Sequence, residues 1–148
     1  MKQTVVVLFL LGSVLISPKH GQADVPMPCS TVLEAINEVY PNAKGAALVY
    51  KVKLTPSFPR TSLSIHANHL PPPTSLGAYD GFEGFAFIPN EISWRFRLYP
   101  TPIEGGPWSG KVDDITAELS SAQIEVRLSN SQTGVLGPAV LRSSRACR

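Results

Sequence analysis

From Ile92 to Leu98 apolar and polar residues alternate without a break. Ile92, Trp94, Phe96 and Leu98 stand against Ser93, Arg95 and Arg97. Successive side chains of a strand point to opposite faces, so this stretch reads as a half-buried strand. Residues 81–88 precede it and hold Phe85 and Phe87, with Pro89 and Asn90 between the two runs. The pattern predicts a hairpin in which Phe87 faces Ile92 and Phe85 faces Trp94, joining four large side chains on one face. Proline fixes φ at about −65°, which opposes the two-residue hairpin turns, so a type I turn in a longer loop over residues 88–91 is expected. In that register Arg95 opposes Gly84 and Arg97 opposes Phe82, and neither cation is neutralised across the pair.

Residues 46–54 also alternate, with Leu48, Tyr50, Val52 and Leu54 expected inward and Lys51 and Lys53 outward. Residues 61–67 place Leu63, Ile65 and Ala67 opposite Ser64 and His66. Residues 112–119 fit a strand or a helix, and the strand is favoured; residues 122–128 are a clearer strand. Residues 135–141 make a last strand, where Gly137 and Pro138 predict an edge or a bulge. Residues 31–40 form the one helical candidate. Thr31 and Glu34 have capping-box spacing, and Val32, Leu33, Ile36, Val39 and Tyr40 share a helical face. Two irregular segments remain, residues 70–79 with Pro71, Pro72 and Pro73, and residues 100–110 with Trp108 among prolines and glycines. About seven strands with turn signals between them predict an antiparallel β-sandwich with one short N-terminal helix, a flattened barrel being the alternative.

The N-terminus changes the setting. Lys2 begins a short charged region, residues 4–16 are apolar, and Gly21 and Ala23 occupy the positions a signal peptidase reads. Residues 1–23 are therefore expected to be a secretory signal, too short to span a bilayer, and residues 24–148 a single secreted, extracellular domain. That domain carries as many acidic as basic side chains, eleven of each, so overall charge does not direct it to nucleic acid. Cys29 and Cys147 lie near its two ends and are expected to form a disulfide in an oxidising compartment, within the chain or between two chains.

Catalytic chemistry is poorly provided. The mature chain has two histidines, His66 and His69, and no nucleophile-elbow, phosphate-loop or dinucleotide pattern. No cofactor is implied. His66 and His69 sit at opposite strand parity, so a shared metal with Asp80 or Glu83 needs the chain to turn between them. Asp113 and Asp114 are adjacent and face opposite ways on a strand, which is poor for glycosidase chemistry.

Two features suit binding. Lys51, Lys53, Arg95 and Arg97 would gather into a basic face if their strands share a sheet. Tyr79, Phe82 and Trp108 lie in glycine- and proline-rich segments, where exposed aromatics mark contact surfaces. The competing account of Trp108 is a cap on the open end of the core. The expectation is a non-enzymatic secreted module that binds an extracellular protein or an acidic glycan. A carrier of a small hydrophobic ligand is the alternative. A protease inhibitor presenting Arg60 from an exposed loop comes third.

Overall fold

The computed structural model describes residues 28–53 and 58–147. The signal segment and Leu54 lie outside the described residues. The chain is mainly β, and its eight antiparallel strands close into a barrel, the alternative arrangement of the expected fold class. In chain order they are β1 (Cys29–Ala35), β2 (Lys44–Lys53), β3 (Pro59–Asn68), β4 (Gly81–Ile88), β5 (Ile92–Pro100), β6 (Trp108–Ile115), β7 (Gln123–Ser129) and β8 (Leu136–Ser143). Around the barrel the order is β1-β2-β3-β6-β5-β4-β7-β8, with β8 returning to β1. A single 3-10 turn, Pro73–Leu76, interrupts the long connection from β3 to β4.

The expected N-terminal helix is strand β1 followed by turns. Cys29, Thr31 and Leu33 are buried while Ser30 and Val32 are exposed, a period of two that the apolar helical face concealed. Both neighbours supply ladder bonds, Val32 pairing with Ala46 and Glu34 with Arg142. Neither residue of the capping-box pair caps anything. The Thr31 hydroxyl donates to the Arg145 carbonyl at 3.0 Å, and Glu34 pairs with Lys44.

The interior is filled by Leu33, Val49, Leu63, Ile65, Phe82, Leu98, Ile115, Ile124, Leu128 and Leu141, each no more than 2% exposed. An eight-stranded barrel is about wide enough for side chains to fill. Volume, rather than hydrophobicity alone, decides which side of a strand faces in. On β2 the inward positions are Gly45, Ala47 and Val49, and Leu48 is 41% exposed, the reverse of the expected facing. There is no room for more at Gly45, where an added Cβ would lie 3.2 Å from Leu141 and 3.3 Å from Leu33.

The hairpin of β4 and β5 keeps its expected span but not its register. Ile88 pairs with Ile92, Ala86 with Trp94, Gly84 with Phe96 and Phe82 with Leu98. Asn90 takes φ 63° and the Glu91 amide donates to the Ile88 carbonyl at 3.1 Å. Proline first and positive φ second are the central pair of a type II turn, not type I. Three residues therefore separate the last pair, and the ladder slides by one. Trp94 now meets the small Ala86 and Phe96 meets Gly84, while Leu98 meets Phe82 in the core. Phe85 and Phe87 turn outward, where Phe85 opposes Arg95 and Phe87 opposes Ser93.

β6 starts at Trp108 and ends at Ile115, earlier than the pattern suggested, and Leu119 is buried from the following connection. Arg60 lies within β3, paired with Val52, and not in a loop that a protease could enter. Pro138 sits on β8 where the ladder with β7 shifts register, between the pairs Arg127–Ala139 and Ser129–Leu136. Closure of the barrel removes the edge and leaves the irregularity. Cys29 and Cys147 are joined by a disulfide within the chain, across a separation of 118 residues. The C-terminal segment continues beside β1, with the Ser144 amide donating to the Val32 carbonyl at 3.0 Å.

Candidate functional site: an arginine-bearing wall

The four expected cations do not form one patch. Lys51 and Lys53 follow Val49 on the inward parity of β2, past the end of the core. Lys51 bonds Glu118 and donates to the Thr61 hydroxyl at 3.1 Å. Arg95 and Arg97 project from the outer side of β5, two strands away across β3 and β6.

The aromatic-loop surface is not formed either. Phe82 is fully buried in β4, and Trp108 packs its ring edge-on against it at a centroid distance of 5.0 Å. Both belong to the end of the core, which is the capping account of Trp108. Tyr79 is half-buried, with its ring over Gly137, where an added Cβ would come within 2.5 Å.

What the barrel does assemble is a different basic surface. β4 runs between β5 and β7, and β8 follows β7. Two outward rows result. One reads Arg97, Glu83, Arg127; the other reads Arg95, Phe85, Glu125, Arg142. Four guanidinium groups thus surround two carboxylates and a phenyl ring. Arg127 and Arg142 were not among the expected site residues. Arg127 was legible as an outward residue of its strand, but its neighbours depend on strand order, which periodicity does not encode.

The charges are held in distinct ways. Glu125 is only 2% exposed and accepts from Arg127 at 3.2 Å and Arg142 at 2.8 Å. A carboxylate taken from water needs such compensation. Arg127 also donates to the Gly137 carbonyl at 2.9 Å and lies over the Phe85 ring at 5.3 Å, so it is fastened to the wall. Arg95 grips Glu83 with two bonds, of 2.6 and 2.9 Å, a fork geometry that only arginine provides. These bonds raise its pKa further.

Two guanidinium groups keep unused capacity. Arg142 engages Glu125 through Nε alone, leaving its terminal nitrogens outward. Arg97 makes no ion pair among the described residues and lies 5.8 Å from the exposed Tyr99 ring. The nearby Asp80 carboxylate is occupied by the Ser131 hydroxyl and amide, which hold its pKa low with help from Arg97.

The opposite wall carries a groove of its own. Ser30, Ala46, Ser64, Ser109 and Gly110 line a shallow groove of about 460 Å³ on the outer side of β1, β2, β3 and β6. His66 bonds the Ser109 hydroxyl there at 2.8 Å, far from any sharing with His69, which stands in the following turn at φ 55°. A serine beside an imidazole needs a third group to orient the base; among the described residues His66 has none. Among the described residues no group of three or more His, Cys, Asp or Glu side chains is placed to hold a metal. No helix among them is long and apolar enough to cross a membrane.

The family described as SPbeta prophage-derived uncharacterized protein YoqH matches residues 25–148. The chain belongs to this family. It is 52% identical over 143 residues to the SPbeta prophage-derived protein YoqH of Bacillus subtilis (strain 168), covering 95% of each chain. That relative's name carries no enzymatic activity. No solved structure matches.

Proposed function

We propose that this YoqH-family protein is a secreted, non-enzymatic binding module that holds an acidic macromolecule on the outer wall of β5, β4, β7 and β8. The observation that carries the reading is the surplus of guanidinium on that wall. Glu83 and Glu125 satisfy Arg95 and Arg127, while Arg97 and the terminal nitrogens of Arg142 remain open to solvent. Arginine presents several donors in a planar fork and is weakly hydrated, which suits carboxylate or sulfate partners. Secretion is supported by the signal-like first 23 residues and by a disulfide tying the domain's ends. The family match begins at residue 25, just past the expected cleavage point. The carrier alternative draws no support from the barrel interior, which is occupied by its own side chains.

The test is a titration of labelled poly-L-glutamate and of a sulfated polysaccharide at low ionic strength. Arg97→Glu combined with Arg142→Glu should weaken binding at least about tenfold, and salt should do the same. Lys53→Glu, on the far side of the barrel, should change little. Equal losses from both variants, or none from the arginine pair, would remove the wall from consideration.

A further inference from the structure

We infer that the partner on this wall is an acidic peptide segment carrying a bulky apolar side chain beside its carboxylates; the inference rests on the reading of the wall as an anion-binding surface. A notch of about 460 Å³ opens where the β4–β5 hairpin ends, lined by Phe85, Phe87, Ile88, Ile92 and Ser93, with Glu91 on its rim. Phe85 belongs to the notch and to the charged rows at once. In the ladder it stands between Arg95 and Glu125, under the Arg127 guanidinium. The guanidinium rows and the notch are therefore one continuous surface.

The chemistry of the notch selects among acidic partners. Phe85 and Phe87 pack on each other at a centroid distance of 5.3 Å, and Ile92 is 45% exposed beside them. Polar side chains enter only through Ser93, Asn90 and Glu91. An aliphatic or aromatic side chain gains from contact with Phe85, Phe87 and Ile92 what a saccharide hydroxyl does not. An anionic bilayer fits less well. The two phenylalanines lie half-buried in the wall and not at a protruding tip. An acidic peptide meets each feature. Its carboxylates reach Arg97 and Arg142, its apolar side chain enters the notch, and Glu91 discourages a carboxylate from taking that place.

Two labelled peptides of equal length and charge test this by fluorescence anisotropy. One alternates glutamate with serine; the other replaces a central serine with phenylalanine. The second should bind at least about tenfold more tightly, the effect of burying one aromatic side chain. Ile92→Ser and Phe87→Ala should each erase that preference and leave the affinity of the serine peptide unchanged. Equal affinity for the two peptides, or a preference that survives Ile92→Ser, overturns the inference while the anion-binding wall stands. Failure of both peptides to bind, or binding indifferent to Arg97→Glu with Arg142→Glu, overturns the wall as well. Binding of vesicles rich in anionic lipid with neither peptide retained assigns the surface to a membrane and overturns the inference.

Discussion

Gly84→Ala is the most direct probe of the packing. Gly84 faces into the barrel opposite Phe96. An added Cβ would lie 2.4 Å from the ring Cζ and 2.8 Å from both Cε atoms. Ordinary carbon contacts lie at about 3.5–4.0 Å, so the ring must move outward by roughly 1 Å. It has little freedom to do so, because its strand neighbour Leu98 is fully buried and the core beyond is filled. Overpacking of this kind costs about 1–3 kcal/mol. Removing a glycine from a strand returns about 0.5–1 kcal/mol of backbone entropy, so the net loss should be about 1–2 kcal/mol. Urea unfolding followed by the fluorescence of Trp94 and Trp108 should show a midpoint lower by roughly 0.5–1 M. Phe96→Leu supplies the control. In that background the clash is gone, and Gly84→Ala should be neutral or slightly stabilising. The pair of substitutions would then couple by at least about 1 kcal/mol. In the register expected from the alternation alone, Gly84 faces solvent opposite Arg95, and alanine there would cost nothing. An unchanged or raised midpoint for Gly84→Ala, or the same loss in both backgrounds, would refute the observed register.

Two further outcomes are expected. Reducing the Cys29–Cys147 bond, which spans 118 residues, should lower stability by about 4–5 kcal/mol in the chain-entropy description, read as the difference between urea midpoints with and without reductant. The pH dependence should follow Asp113, whose pKa is held low by the Lys111 ammonium at 2.7 Å and by the Ser62 hydroxyl. A depressed carboxylate pKa stabilises above the unfolded value of about 3.9 and loses that contribution as pH falls through the folded value. Asp113→Asn should therefore be less stable than the parent at about pH 6, with the gap closing below about pH 4; a gap that stays constant would assign the loss to packing.

The alternation of β5 predicts its facing over most of its length: Trp94, Phe96 and Leu98 pack against the interior, while Ile92 at the hairpin end is 45% exposed. Its partner was inverted for a physical reason. Phe85 and Phe87 are larger and more hydrophobic than Gly84 and Ala86, yet inside a barrel already carrying Trp94 and Phe96 the opposite positions must be small, and Gly84 and Ala86 take them. The same rule turned Leu48 and Tyr50 outward so that Ala47 and Val49 fit within. Alternation reveals that a strand has two faces; which face turns inward is settled by the volumes across the barrel, and those require the strand order. The candidate site follows the same logic. Arg95 and Arg97 were legible as outward cations on one strand. Their neighbours Glu83, Glu125, Arg127 and Arg142 come from strands brought together by a chain that leaves β3 for β4 and returns through β6. A one-residue shift in the hairpin places Arg97 across from Glu83 and Arg95 across from Phe85. The proposed peptide notch exists only in that register, since it needs Phe85 and Phe87 outside. The turn at Pro89 and Asn90 is thus the feature on which both the core and the binding surface depend.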